Sequence, residues 1–262
     1  PECVLRLYDT RRRGIHPVSV RGRAVSLYVC GVTPYDTTHL GHARTFLTFD
    51  LIARLLEATG HPVRYVQNVT DIDESILQRA TRDGVGWREL GTREERAYLA
   101  DMKRLGWRRP DVICHATREL PAMFDLIRAL ERRNAAYVLP RGVYFPVAAQ
   151  PAYGELSRFS PSKMKRLLAG QDDAGLEDPG RRDPRDFALW RSLSDGPTWP
   201  SPWGRGRPGW HLECSAMIRH HLGDQLDLHG GGADLVYPPP ENETAQPAPG
   251  NRQGPIRAPW PP

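Results

Sequence analysis

The chain has 262 residues, 26% of them charged and 39% hydrophobic, so it reads as a globular protein of one large or two smaller domains, not a disordered polymer. No apolar run reaches the roughly 18 residues of a membrane span, and no secretory signal opens the chain. The four cysteines (Cys3, Cys30, Cys114, Cys214) form no C-x-x-C pair, which excludes a small disulfide scaffold and fits a reducing cytoplasm, while the formal charge of +5 suits either an anionic partner or mere solubility.

Residues 24–29, AVSLYV, read as a buried strand, followed by the turn-rich GVTPYDT. From His39 to Thr59 the apolar residues Leu40, Ala43, Leu47, Leu51 and Leu55 recur every three or four positions, so a helix is expected. Gly60 suits the position after its last cap, and Pro62 blocks continuation. VRYVQN, 63–68, reads as a second strand, and strand–helix–strand in this rhythm predicts a βαβ unit with a parallel sheet. Residues 74–105 are expected to be mostly helical, and 117–133 form another helix that tolerates Pro121 near its start. AAYVLPRGVYFPV, 135–147, predicts a hairpin around Pro140–Gly142. Residues 160–186, rich in Lys, Arg, Gly and Pro, read as a mobile loop region, with order resuming at DFALW, 186–190. A helix is expected over 208–223 with Pro208 near its start, then a short strand, QLDLH. The stretch Pro247–Pro262 lacks periodicity and apolar residues to pack.

Five stretches could carry chemistry. His39-Leu40-Gly41-His42 falls where a helix starts after a strand, and a helix N-terminus is a ready anion site. Residues three apart share a helix face, so both imidazoles can address one ligand, and Gly41 lets a flat base approach the backbone. The alternative is two surface histidines that cap a helix. Cys30 ends a strand, where α/β sheets bind ligands, and Trp210 and Cys214 are four apart on one helix face. The two cysteines could share a zinc, with His211, His229 and Glu243 as further donors, or each could be a small core residue. In NVTDID, Thr70, Asp71 and Asp73 either hold the polar end of a substrate or form a helix cap. HGGGADL lets a ligand sit against the backbone, with Asp234 suited to a ribose hydroxyl or an ammonium.

In this order, LYVCGVTPYDTTHLGHARTFLTFD, YVQNVTDID, YGELS, RDPRDFALW, SPWGRGRPGWHLECSAM and DLHGGGADLVYPPPENETAQ resemble the catalytic half of cysteinyl-tRNA synthetase. The resemblance runs from about Val4 to Gln246. GVTPYDTTHLGHA leans toward a related family, the cysteine ligase of mycothiol biosynthesis, which attaches cysteine to an aminosugar; YGELS and DFALW lean toward the synthetase. The resemblance implies an α/β fold, a class I synthetase Rossmann-like parallel sheet with an inserted connective region. It divides the chain into a first catalytic half (1–112), the insertion (113–185), a second catalytic half (186–246) and an unstructured or frameshifted tail (247–262).

The implied activity is ATP-dependent conversion of L-cysteine to cysteinyl-adenylate, with Mg2+, then transfer to tRNA(Cys). His39 and His42 match the catalytic HIGH element; His39, Gly41, His42, Thr45, Gly232 and Asp234 match the ATP site; Cys30, Gly31, Thr33, Thr70 and Trp210 match the cysteine pocket. One zinc is implied, on Cys30, Cys214 and Glu243, because a soft metal prefers a thiolate to a hydroxyl. A cytoplasmic monomer with no membrane association is expected.

Two departures stand out. Pro239 occupies the position of the family's zinc-binding histidine and has no donor atom, so weaker zinc binding is expected. The family's Lys-Met-Ser-Lys-Ser loop has no counterpart after Glu243, and SPSKMKR, 160–166, lies on the wrong side of GRPGWHLEC and reads as a basic surface patch. The two losses at one place suggest a single cause, so a frameshifted or fragmentary chain is expected, with the loop in another frame; the chain also begins with Pro1, so its true start is expected to be missing. The alternatives are the aminosugar ligase and an inactive paralog that only binds.

Overall fold

The computed structural model describes residues 5–18, 20, 23–168 and 178–232. These form two compact units, one drawn from Pro1–Arg118 and His221–Ala233, the other from Glu119–His220. The architecture is mixed α/β with a parallel sheet, as the sequence predicts.

The first unit opens with an antiparallel pair, β1 (Arg6–Asp9) and β2 (Gly14–Pro17). Its turn rests on Asp9, whose Oδ1 accepts from the amides of Arg11 and Arg12 at 3.0 and 3.1 Å. This hairpin is not predicted from the sequence, because its strands are short and half exposed. The main sheet follows: β3 (Val25–Val32), α1 (Leu40–Ala58), β4 (Val63–Val69), α2 (Glu74–Asp83), α3 (Trp87–Arg104) and β5 (Val112–His115).

The α1 helix stops for the predicted reason. Thr59 is its C-cap, Gly60 has φ +86°, and the amides of Gly60 and His61 return to the carbonyls of Glu57 and Leu56 at 3.1 and 2.9 Å. That pattern satisfies the last carbonyls of the helix. The stripe that reveals α1 is only in part the face it buries: Ala43 and Leu47 pack partly buried against the core. Phe46, Phe49, Ile52, Ala53 and Leu56 are buried, whereas Leu40 is 87% and Leu51 66% exposed. Two aromatic rings remove more apolar area from water than two leucines, at about 1.5–3 kcal/mol for each large side chain buried. They pack with Tyr98, Trp107 and the inward residues Leu27, Val29 and Tyr65. Gln67 crosses this core, accepting from the Tyr65 hydroxyl at 3.2 Å and donating to the Tyr98 hydroxyl at 2.8 Å.

The second unit contains α4 (Leu120–Glu131), β6 (Tyr137–Leu139), β7 (Gly142–Phe145), α5 (Pro161–Leu168), β8 (Phe187–Ser192), β9 (Gly206–Pro208) and most of α6 (Trp210–Leu222). β6 and β7 form the predicted hairpin, and the sheet runs β6-β7-β8-β9, antiparallel throughout. Phe145 and Phe187 stack at 5.0 Å, and Trp190 meets Phe124 edge-on at 5.2 Å. Two expectations need correction here. The SPSKMKR stretch is not loop: it enters α5, with Ser160 Oγ accepting from the Lys163 amide at 3.3 Å. Pro208 ends β9 instead of starting α6, since the paired strand continues to that residue.

The chain returns to the first unit with β10 (Leu228–Gly230), which pairs with β3 in parallel, giving the order β10-β3-β4-β5. Among the described residues no helix is long and apolar enough to cross a membrane.

Candidate functional site

In the parallel sheet, β4 lies on one side of β3 and β10 on the other. The carboxyl ends of β3, β4 and β10 therefore lie side by side at one edge of the sheet, where open α/β sheets bind ligands. The candidate residues of the first unit gather at those ends.

His39 is the N-cap of α1. Its Nδ1 accepts from the Gly41 amide at 3.1 Å, and His42 Nδ1 accepts from the His39 amide at 3.4 Å. The two rings lie 4.1 Å apart, so one ligand can meet both. The capping reading holds, with Nδ1 of each ring used in a cap, and no acidic residue occupies the first turn to oppose an anion. Gly41 is exposed, and a Cβ there would lie 2.8 Å from His39 Cε1, the end of a side chain that can move. Thr45 lies one turn further on and is half-buried.

Cys30 and Gly31 occupy the end of β3, where its register with β4 shifts between Val29 and Val32. Gly31 donates its amide to Asn68 Oδ1 at 2.8 Å, and a Cβ on Gly31 would lie 1.7 Å from the Asn68 carbonyl oxygen. Only glycine fits so close to another backbone. Asn68 Nδ2 in turn donates to Thr70 Oγ1 at 3.3 Å, and the Thr70 amide donates to the Val32 carbonyl at 2.9 Å. Thr70 is therefore buried and fixed beside β3. Thr33 is half-buried, its carbonyl accepting from the Tyr35 amide at 2.9 Å. Asp71 and Asp73 have structural tasks: Asp71 accepts from Thr117 Oγ1 at 2.6 Å, and Asp73 caps α2 through the Ser75 amide at 2.8 Å.

On β10, His229 is fully buried, with Nε2 3.3 Å from Cys30 Sγ. Its ring stands edge-on to Tyr28 at 5.5 Å. β10 is tied to β3 by Asp227, whose Oδ2 accepts from both the amide and the hydroxyl of Ser26 at 2.9 Å. Gly230 follows, where a Cβ would fall 2.2 Å from the Phe49 ring. Gly232 is half-buried. Asn68, Asp227 and Gly230 are the positioning residues that sequence reasoning missed. Asn68 lies within NVTDID, Gly230 within HGGGADL and Asp227 two residues before the latter, and that placement is their only hint.

In the second unit α6 carries Trp210, half-buried, and Cys214, buried. His211 is buried between Phe187, edge-on at 5.4 Å, and Trp210, stacked at 5.6 Å. Burial pushes its imidazole down to about 3, so it is neutral near pH 7. Asp234, Pro239 and Glu243 lie outside the described residues. For a zinc ion the donor chemistry available in the first unit fits: a buried thiol and a buried imidazole within 3.3 Å are borderline-soft ligands of the type zinc takes.

The model of the class I (C) tRNA synthetase catalytic domain matches residues 17–257. The chain belongs to that family. The match runs past Pro247, where the motif resemblance stops. Within the family, an L-cysteine:1D-myo-inositol 2-amino-2-deoxy-alpha-D-glucopyranoside ligase of Frankia alni is 50% identical over 81% of this chain and 51% of its own length. A cysteine--tRNA ligase of a Synechococcus strain is 48% identical over 86% of this chain and 46% of its own. The chain thus spans about half the length of the curated relatives it matches. A methionyl-tRNA synthetase of Mycobacterium tuberculosis, solved with methionyl-adenylate, shares the synthetase fold: TM-score 0.64 at 15% identity, over 91% of this chain and 57% of that one.

Proposed function

We propose that the chain is the catalytic portion of a cysteine-activating ligase. It would convert L-cysteine and ATP to cysteinyl-adenylate and pyrophosphate, then pass cysteine to tRNA(Cys). The observation that carries this reading is the paired imidazoles of His39 and His42, 4.1 Å apart at a helix N-terminus, in a synthetase-family sheet. In the step, a carboxylate oxygen of cysteine bonds to the α-phosphorus as the bond to the pyrophosphate oxygen breaks. Such a step needs positioning and charge neutralisation more than covalent catalysis. His39 and His42 hold the phosphates at the positive end of α1, with Mg2+ accompanying ATP. Gly41, Thr45, Gly232 and Asp234 take the nucleotide, while Cys30, Gly31, Thr33, Thr70 and Trp210 take cysteine. A zinc ion held by Cys30, Cys214 and Glu243 would supply selective affinity for a thiolate. The four-part division at 112, 185 and 246, monomeric behaviour and a cytoplasmic location belong to the same proposal.

The test is cysteine-dependent ATP–pyrophosphate exchange on the purified chain, with serine as control. Exchange with cysteine and not with serine is expected; no exchange from folded protein overturns the reading in favour of a binding-only paralog. A second acceptor, the amine of an aminosugar, is favoured by relatives of that kind at 44 to 50% identity. Transfer to a glucosaminyl-inositol and not to tRNA would establish it.

A further inference from the structure

Residues 33–39, between β3 and α1, form neither strand nor helix, yet they deliver His39 to the start of α1. We propose that Arg79 is a positioning residue for the histidine pair: it holds Asp36, and through Asp36 it sets where the chain enters α1. The inference rests on the reading of His39 and His42 as the phosphate-holding pair.

The caps of α1 fix the two rings relative to each other, because Nδ1 of each accepts a backbone amide. They do not fix the approach of the chain to the helix. The first fully buried residue of α1 is Phe46, so the turn with both histidines stands ahead of the core. Asp36 precedes His39 by three residues, which reach at most about 11 Å when extended, so holding Asp36 confines His39.

Asp36 is held through both carboxylate oxygens. Oδ1 accepts from the Thr37 amide at 2.7 Å, and Oδ2 meets Arg79 Nη1 at 2.7 Å. The Thr37 amide first, and Arg79 after it, keep its carboxyl below the usual carboxylate range. Arg79 is a firm partner. It belongs to α2, where Ile76 and Ala80 are buried with Leu90 of α3, Asp73 caps the start, and Gly84 closes the end at φ +65°. Its Nε meets Asp83 Oδ2 at 2.6 Å, so the guanidinium is held from two sides. Arg82 gives Asp83 a second cation at 2.9 Å, which leaves charge on Arg79 for Asp36. A second contact seats the same loop. Pro34 is buried, and its Cγ lies 4.0 Å from where a Cβ on Gly91 of α3 would stand. The loop thus rests on the α2 and α3 helices at two places.

Stability does not account for the pair. The Asp36 side chain is 51% exposed, and exposed ion pairs contribute little to folding. A weak contact still selects one loop conformation when the alternatives differ little in energy.

The experiment compares wild type with Arg79→Leu, Asp36→Asn, the double variant and Asp83→Asn. Asparagine at 36 keeps an oxygen for the Thr37 amide and loses the charge that Arg79 meets. Cysteine-dependent pyrophosphate exchange is measured over a range of ATP concentrations, with urea midpoints alongside. Each of the first two variants is expected to lower kcat/KM for ATP by about threefold to tenfold, at a nearly unchanged midpoint. The double variant should be no worse than the poorer single, since both remove one interaction. Asp83→Asn should stay within about twofold. Unchanged rates in both singles overturn the proposal, as do additive losses in the double variant or an Asp83→Asn loss equal to that of Arg79→Leu.

Loop placement is also read without catalysis, from the proton resonance on Cε1 of His39, assigned with His39→Gln. It is expected to shift or broaden in Arg79→Leu and Asp36→Asn and to stay put in Asp83→Asn. An identical resonance in all of them overturns the proposal. A shifted resonance in a chain whose wild type shows no exchange leaves the tether standing and sinks the cysteine-activation reading. Wild-type exchange that ignores the loss of Arg79 does the reverse.

Discussion

Two pairs of side chains in the first unit, at the carboxyl ends of its strands, are built in opposite ways. His39 and His42 are three residues apart, partly exposed, and positioned by one helix turn and its caps. Cys30 and His229 are 199 residues apart, buried, and positioned by two neighbouring strands of the sheet. The first pair needs only α1 to exist. The second exists only if β10 finds its register on β3, because a slip of one residue would turn His229 to the opposite face. The contrast predicts that damage near the histidine pair alters chemistry with little loss of stability, whereas damage near the Cys30 pair acts through the fold.

The largest expected effect is Gly31→Ala. A Cβ there meets the Asn68 carbonyl oxygen at 1.7 Å, a backbone atom that cannot move aside without breaking the β3–β4 register. Urea denaturation should show a loss of about 3 kcal/mol or more, or no folded protein. His42→Ala should slow pyrophosphate exchange by about 10²–10³-fold, as removal of a group that stabilises transition-state charge does, while the lost cap contact costs about 1 kcal/mol at most in urea. An unaltered rate would break the reading of HLGH as a phosphate site.

A third histidine tests what burial alone does. His211, held near pKa 3 by desolvation, binds its proton far less readily folded than unfolded. Its folded value is depressed, so the unfolded chain takes up more protons between about pH 6.5 and pH 3, and stability falls as pH drops through that window. The slope from this one group is at most about 1.4 kcal/mol per pH unit, and urea midpoints of wild type against His211→Leu measure it. Equal slopes in the two proteins would refute it.

Smaller effects sharpen the comparison. Asp227→Ala removes the acceptor of two hydrogen bonds that hold β10 on β3, at a cost of about 1–3 kcal/mol. Gly41→Ala meets only the movable His39 ring, so its stability cost should stay below about 1 kcal/mol while the KM for ATP rises. A cost equal to that of Gly31→Ala would erase the distinction between the two pairs.

Legibility in the sequence follows the same division. The α1 helix, its Gly60 stop, the parallel β3–β4 pair and the hairpin of β6 and β7 are set by spacing and turn residues within short windows. The histidine pair is equally local. The buried face of α1 was not legible from periodicity, because Leu40, Leu51 and Leu55 repeat as regularly as Phe46, Phe49 and Leu56, and only packing chooses between them. The α5 helix was masked by a composition that suits loops and basic helices alike. Asn68 and Asp227 read as ordinary polar residues until the strands they join are seen side by side.

The sequence by itself determined the family, the βαβ start of the sheet and the helix-end histidines, since each depends on residues within a turn or a strand of one another. The tertiary structure decided which helix face is core, why Gly31 and Gly230 can be nothing larger, and that the imidazole beside Cys30 belongs to His229. Those are facts of strand register between distant segments, and register is fixed by burial and cross-strand hydrogen bonding, which no short window of sequence contains.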